Sequence, residues 1–245
     1  MASLAQKRLA DLLRGFIDVP AGLDCWIADI QQDSRLVKQG GLFIAAEGIA
    51  SDGSAYINDA IERGAVAVLR PGSRCQVYES QSVVVVELEQ VRPVVGAIAH
   101  RFFGEVTAHM RVIAVTGTNG KSSVTHYIAQ LAQLLGVKAA VIGTLGYGAP
   151  DRLRTSTHTT PDPVSLQRQL FELYKGGFGL VAIEVSSHAL DQHRVVGVEF
   201  SVGAFLNLSR DHLDYHGSME DYAEAKKKLI DLPGITPVLN LGDTY

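Results

Sequence analysis

The sequence predicts an α/β fold in two parts. A small N-terminal α/β domain over residues 1–105 precedes a mostly parallel sheet, built around a phosphate loop, over residues 106–245. Three observations carry this reading. Apolar runs of strand length alternate with amphipathic segments of helix length, the pattern of a sheet covered by helices. The alternation becomes more regular beyond Arg111. A glycine-rich loop, Gly117-Thr-Asn-Gly-Lys-Ser-Ser123, joins one apolar run directly to a helical segment.

In chain order, Ser3 can cap a helix carrying Leu4, Leu9, Leu12, Leu13 and Phe16 on one side. Short apolar runs at 41–46, 65–69 and 83–86 read as strands, with a helix from Tyr56 to Arg63 ending at Gly64. A further helix runs from Gln90 to Phe103 and stops at Gly104. The domain boundary is expected between Gly104 and Arg111. Beyond it, strands are expected at Val112–Thr116, Ala139–Gly143, Leu180–Val185, Val202–Asn207 and Pro237–Asn240. Helices are expected at Lys121–Leu135, Pro163–Tyr174 and Met219–Leu229. The last residues, 241–245, follow a strand directly and read as a domain cut short.

Composition narrows the function classes. The 245 residues are 47% hydrophobic and 20% charged, which excludes a disordered chain. A net charge of −4 supplies no basic field for a nucleic-acid backbone. Cys25 and Cys75 form no CxxC pair and no disulfide framework. No apolar run reaches the length of a membrane span, and no secretory signal is evident at the start. A cytoplasmic protein is expected.

The loop at 117–123 carries the sharpest chemical signal. Glycines let backbone N–H groups close around a polyphosphate, and the helix that follows adds a partial positive charge. Lys121 can reach terminal phosphates, and the Ser122 hydroxyl suits a phosphate-bound Mg²⁺. Val115 stands where the strict GxxxxGK[ST] pattern has its first glycine. The bland alternative is an ordinary strand-to-helix turn. Downstream, Glu184 closes an apolar strand, where a carboxylate can face a ligand crevice and hold a hard cation, or can simply be satisfied by a neighbouring loop. Asp211, His212, Asp214 and His216 crowd one further loop, as site residues or as a polar helix cap. Zinc is disfavoured, because neither cysteine lies near these histidines and no HExxH spacing occurs.

Together, Val115–Ser123 (VTGTNGKSS), Thr159-Thr160-Pro161, Glu184-Val-Ser-Ser-His188, Gln192-His-Arg-Val195, Asn207–His216 (NLSRDHLDYH) and Ala225-Lys226 resemble the Mur ligases of peptidoglycan synthesis. Asp33-Ser34-Arg35 and Gly41-Leu42-Phe43 look like the family's N-terminal pattern, so the resemblance spans nearly the whole chain. Within the family it is strongest to the enzymes that add the third residue of the stem peptide. This family uses a shortened phosphate loop, which accounts for Val115.

The resemblance implies an enzyme of three domains, for the UDP-sugar, for ATP and for the incoming amino acid. By that measure the chain is an N-terminal fragment. It would hold the first domain and part of the second, lack the third, and not turn over alone. The resemblance implies that Gly117, Thr118, Asn119, Gly120, Lys121, Ser122 and Ser123 bind ATP. It assigns the uridine nucleotide to Ser34 and the loop Ile49-Ala50-Ser51, and the rest of the UDP-sugar peptide to Thr159, Thr160, Ser186, Gln192 and Arg194. Mg²⁺ would fall to Ser122, Glu184, His212 and Lys226, the last as a carbamate formed with CO₂, whereas Lys227 and Lys228 read as solvated. The implied substrates are UDP-MurNAc-L-Ala-D-Glu and a diamino acid, meso-diaminopimelate or alternatively L-lysine. The rivals are a folylpolyglutamate synthase on the same scaffold, which the Ser122-Ser123 ending and the NLSRDHLDYH tract disfavour, and a non-catalytic UDP-sugar-binding fragment. A switch GTPase is disfavoured by the lack of an NKxD base-recognition motif.

Overall fold

A computed structural model describes residues 5–47, 53–156 and 158–243. The chain divides into two compact units, Met1–Gly104 and Glu105–Tyr245.

The start of the first unit differs from the sequence expectation. Lys7–Arg8 form a strand, β1, followed at once by a short helix, α1 (Leu9–Leu13). β1 pairs antiparallel with β2 (Trp26–Ile27). The long helix capped by Ser3 does not form as expected, and Ser3 and Leu4 lie outside the described residues. The cause is Asp24. Its Oδ2 and backbone carbonyl accept hydrogen bonds from the Arg8 guanidinium, both at 2.8 Å, while Oδ1 accepts the Ala10 N–H at 2.9 Å. A carboxylate distant in sequence thus supplies the cap that no neighbouring side chain gives. Gly15, at φ 83°, turns the chain away after α1. Of the expected apolar stripe, Leu9, Leu12 and Leu13 are fully buried in α1, whereas Phe16 lies beyond the helix and is only half-buried.

Five strands form the main sheet of this unit: β3 (Asp29–Gln31), β4 (Gly41–Ile44), then α2 (Ile57–Glu62), β5 (Ala65–Pro71), β6 (Gln76–Ser80) and β7 (Val83–Leu88). Their order is β3-β4-β5-β7-β6, parallel except for β6. Helix α3 (Arg92–Phe102) closes the unit. The sequence missed β2, β3 and β6, which are short or polar; β3 is buried throughout, but its three residues include Asp29 and Gln31, while the expected strands are longer aliphatic runs.

The second unit contains β8 (Arg111–Thr116), α4 (Lys121–Leu134), β9 (Ala139–Gly143), β10 (Gly146–Ala149), β11 (Arg152–Arg154), α5 (Pro163–Lys175), β12 (Leu180–Glu184), α6 (Ser187–Asp191), β13 (Val202–Phe205), α7 (Leu213–His216), α8 (Met219–Ile230) and β14 (Thr236–Leu239). The sheet order is β11-β10-β9-β12-β8-β13-β14. The five strands from β9 to β14 are parallel, and β10 and β11 add an antiparallel edge that the sequence did not announce. In register, Ile183 lies between Ile142 and Ala114, and Ala114 pairs onward with Gly203. The carboxyl ends of β9, β12, β8 and β13 therefore finish level, and the loops leaving them meet. Helix α4 leads from β8 toward β9 while β13 lies on the other side of β8, so the loop after β8 stands at a topological switch point.

The core of this unit packs Val112, Ala114, Ile142, Val181 and Ile183 of the sheet against Leu166, Leu170 and Leu173 of α5. Helix α4 meets β9 and β12 through small residues, Ala129 and Ala132, and leaves Leu131 and Leu134 exposed. Among the described residues, no helix is long and apolar enough to cross a membrane.

Leu170 is fully buried in this core, whereas Leu134 is 83% exposed. Leu170→Ala is expected to destabilise the protein by about 2–5 kcal/mol, a transfer term plus a cavity term. Leu134→Ala should stay within about 0.5 kcal/mol. Urea unfolding followed by circular dichroism checks both, and equal midpoints for the two variants would contradict this core.

Candidate functional site

The loop after β8 is shaped by two glycines and one asparagine. Gly117 has φ 151°, and a Cβ there would lie 3.0 Å from the Leu206 Cβ. Gly120 has φ 87° at the N-cap of α4, so no capping side chain covers the first helical turn, whose N–H groups have no intrahelical acceptors. Asn207 clamps the loop. Its carbonyl accepts the Thr118 N–H at 3.0 Å, its Oδ1 accepts the Asn119 N–H at 3.0 Å, and its Nδ2 donates to the Asn119 carbonyl at 3.1 Å. Lys121 folds over the loop and donates to the carbonyls of Gly117 and Thr118, each at 2.9 Å. Burial lowers the Lys121 pKa, although the charges of Glu184 and Asp211 act the other way.

A cavity of about 490 Å³ opens at this edge of the sheet. Of the residues singled out in the sequence, it brings together Thr118, Asn119, Gly120, Lys121, Ser122, Ser123, Thr159, Thr160, Glu184, Ser186, Arg194 and His212. Thr144, His158 and His188 also line it. Gly117, Gln192 and Lys226 do not line it. Of the three further lining residues, His188 belongs to the quoted 184–188 motif although no role was assigned to it, while Thr144 and His158 were not singled out, and Thr144 carried one signal, its place directly after an expected strand.

Glu184 ends β12 and is buried, 1% exposed. Its Oε1 accepts the Thr144 N–H at 3.0 Å, and its Oε2 lies 3.1 Å from the Thr144 hydroxyl. One protein donor per oxygen leaves acceptor capacity on both. With the Ser122 hydroxyl on the same cavity, this is a hard-oxygen environment that fits Mg²⁺. Among the described residues, no three His, Cys, Asp or Glu side chains converge as a closed metal cage. His212 is half-exposed at φ 52°, with its ring against His188 and its Nε2 3.6 Å from Asp211.

The other wall is a hydrogen-bonded scaffold. The Thr160 hydroxyl, 1% exposed, donates to the Glu184 carbonyl at 2.8 Å and accepts the Ser186 N–H at 3.2 Å. Ser186 caps α6 by accepting the Ala189 N–H. Arg194 donates from Nε and Nη2 to the Gln192 Oε1, at 3.1 and 2.7 Å, and from Nη1 to the Thr160 carbonyl at 2.9 Å. The Gln192 amide also donates to the Tyr215 hydroxyl, which donates to Asp191. Thr160 and Gln192 thus act here mainly by holding Arg194 and the turn after β12. His188 sits among His212, His216 and Tyr215, and its pKa is lowered by burial first and by the neighbouring histidines next.

Lys226 on α8 is 1% exposed. Its Nζ donates to the Gly117 carbonyl at 2.9 Å and lies 4.7 Å from the centre of the Tyr222 ring. The same carbonyl receives Lys121, so two ammonium groups crowd one oxygen. Burial, and then the charge of Lys121, pull the Lys226 pKa from 10.5 to about 7. Its neighbours Lys227 and Lys228 are both exposed, and both also make surface ion pairs, Lys227 with Glu224 and Asp231 at 3.6 Å and Lys228 with Asp191 at 2.8 Å.

In the first unit, Ser34 lines a separate cavity of about 620 Å³ with Arg35, Tyr56, Asp59 and Arg63. A hydrogen bond from Ser34 is the leading cause that lowers the Asp59 pKa. The expected Ile49-Ala50-Ser51 loop lies outside the described residues.

Comparison with known proteins agrees with these motifs. A family model described as the Mur ligase middle domain matches residues 115–245, and one described as the Mur ligase family, catalytic domain, matches residues 27–103. The chain is 44% identical to a UDP-N-acetylmuramoyl-L-alanyl-D-glutamate–2,6-diaminopimelate ligase of Alkalilimnicola ehrlichii, over 97% of this chain and 50% of that protein. It is 46% identical to the ligase of that name from Ectopseudomonas mendocina, over 89% of this chain and 45% of the other. A solved structure of a ligase with this name superposes with a TM-score of 0.80 at 31% identity, covering 98% of this chain and 48% of that one. The chain spans about half the length of the curated relatives it matches. Its two matched segments and the level strand ends that carry its phosphate loop are those of one family, and the chain belongs to the Mur ligases.

Proposed function

We propose that this chain is the UDP-sugar- and ATP-binding part of a ligase that adds meso-diaminopimelate to UDP-MurNAc-L-Ala-D-Glu, in the cytoplasm, during peptidoglycan synthesis. The observation that carries this reading is the shared cavity of the 118–123 loop, Glu184 and Arg194. The amino-acid choice follows the names of the relatives, which act on 2,6-diaminopimelate.

The chemistry required is activation of a carboxylate. The γ-phosphoryl group of ATP passes to the terminal carboxylate of D-Glu, giving an acyl phosphate and ADP. The amine of the diamino acid then attacks the acyl carbon, the C–N bond forms, and phosphate leaves. Phosphoryl transfer depends on positioning and charge neutralisation rather than on covalent help from the protein. The uncapped first turn of α4 binds phosphate oxygens, and Lys121 offsets their charge. Arg194, held by Gln192 and Thr160, faces the substrate carboxylate. Ser122, Glu184, His212 and a carbamate on Lys226 would hold Mg²⁺, which when bound neutralises and orients the phosphates. Ser34 and the adjoining cavity would take the uridine nucleotide.

Lys226 is suited to carbamylation. Its neutral amine attacks CO₂, an N–C bond forms and a proton is released, so the modification needs the unprotonated form. With a pKa of about 7 rather than 10.5, that form becomes dominant as pH rises through about 7. Bicarbonate-dependent activation of the complete ligase should therefore increase across that range. Lys226→Ala should lose most activity and regain part of it with a small carboxylic acid, while Lys227→Ala should stay near normal. Steady-state phosphate release measures all three. A near-normal rate for Lys226→Ala in bicarbonate-free buffer would remove the carbamate from the mechanism.

The isolated first unit, residues 1–104, should bind UDP-MurNAc-L-Ala-D-Glu with a saturable heat in calorimetry, and Ser34→Ala should weaken it. Absence of heat at millimolar ligand would show that Ser34 and its cavity do not form a nucleotide site by themselves.

A further inference from the structure

Thr144 makes more of Glu184 than any other residue does. It directly follows β9, two residues beyond Ile142 of the Ile142–Ile183 pair, and its N–H and hydroxyl both reach the Glu184 carboxylate at the end of β12. Its N–H meets Oε1 at 3.0 Å and its hydroxyl meets Oε2 at 3.1 Å. One residue therefore grips both carboxylate oxygens and fixes the plane of the group. The residue before it makes room. A Cβ on Gly143 would fall 2.0 Å from Oε1 and 2.6 Å from the carboxylate carbon, so the carboxylate occupies the place where any other side chain would begin.

Two acceptors compete for the Thr144 proton. Thr144 Oγ1 lies 3.0 Å from Thr159 Oγ1 as well as 3.1 Å from Glu184 Oε2, and it carries one proton. The Thr144 hydroxyl is the donor in both contacts, so its single proton is shared between Glu184, a carboxylate that only accepts, and the Thr159 hydroxyl. The charged carboxylate is the stronger acceptor of the two, which favours the bond to Glu184.

We propose that Thr144 is a positioning residue that, with the space left by Gly143, sets the Glu184 carboxylate for the divalent cation; this rests on the reading of Glu184 as a metal ligand. It does not touch the cation. It orients the group that does, as outer-shell partners of metal sites do, and their loss typically weakens metal binding by about 10–100-fold.

The test uses the 245-residue chain with ADP at saturation and Mn²⁺ as the probe, with free Mn²⁺ read by electron paramagnetic resonance. Thr144→Val keeps the shape and the backbone N–H but removes the hydroxyl. It should weaken Mn²⁺ binding roughly 10-fold or more, a larger change than in the metal-free affinity for ADP. Thr144→Ser should restore binding close to that of the parent chain. Gly143→Ala should weaken it in the same direction by displacing the carboxylate. If the parent chain binds Mn²⁺ and Thr144→Val binds it equally well, the positioning role is wrong while the metal reading stands. A loss of thermal stability shared by Thr144→Val and Thr144→Ser, without a difference in Mn²⁺ affinity, also overturns it. If Glu184→Gln leaves Mn²⁺ binding unaltered, the metal reading fails and takes the positioning role with it.

Discussion

The parallel register that sets β12 between β9 and β8 is the constraint on which the rest of this site depends. Because the strands run in one direction and end level, four separate loops deliver their residues to one edge: the phosphate loop, the Thr144 turn, the start of α6 and the 206–212 segment. A slip of one residue would turn Glu184 into the opposite face of the sheet and replace it with an apolar neighbour. The fully buried aliphatic rows at Ile142, Ile183 and Ala114 resist such a slip, since each would have to be exposed or repacked. The chemistry at the edge is thus held in place by residues that take no part in it.

The second theme is crowded charge. Two lysines converge on the Gly117 carbonyl from opposite elements, one from α4 and one from α8. Such an arrangement is uncomfortable for two cations and tolerable when one is neutral, which is why burial and the neighbouring ammonium act in the same direction on Lys226. Between the unfolded value of 10.5 and the folded value of about 7, the unfolded chain binds the extra proton. The penalty for burying Lys226 therefore applies in full below about pH 7 and fades as pH rises toward 10.5. The polar network on the other side, from Arg194 through Gln192, Tyr215 and Asp191 to Lys228, ties α8 back to α6. It keeps Lys226 at its depth beneath the loop.

Much of this was legible in the sequence, for physical reasons that differ from element to element. The buried strands announce themselves through unbroken aliphatic runs, and α5 through a strong amphipathic pattern with Asp162 at its cap. The phosphate loop is legible because only glycine tolerates the backbone at 117 and 120. The first helix was overextended because its cap, Asp24, and its competing strand partner, Trp26–Ile27, are distant in sequence. The hairpin of β10 and β11 was invisible because its strands are short and half-exposed. Thr144, just after one expected strand, and Asn207, at the end of another, were legible in position but not in their contacts. Nothing in their local sequence says what the parallel register sets opposite them.

The clamp made by Asn207 has a consequence for synthesis of the protein. Asn207 and Asn119 are 88 residues apart, and β8 pairs only with β12 and β13, which begin at Leu180 and Val202. At roughly 5–20 residues per second on the ribosome, the middle strand waits roughly 4–18 s for its neighbours. During that interval β9, β10 and β11 can close locally, but β8 stays an unpaired apolar segment, the state most open to misassociation. A nascent chain therefore cannot grip nucleotide early and fold around it. The clamp on the loop can form only once Asn207, 88 residues downstream, has emerged, so the loop takes its full shape late in the assembly of this unit.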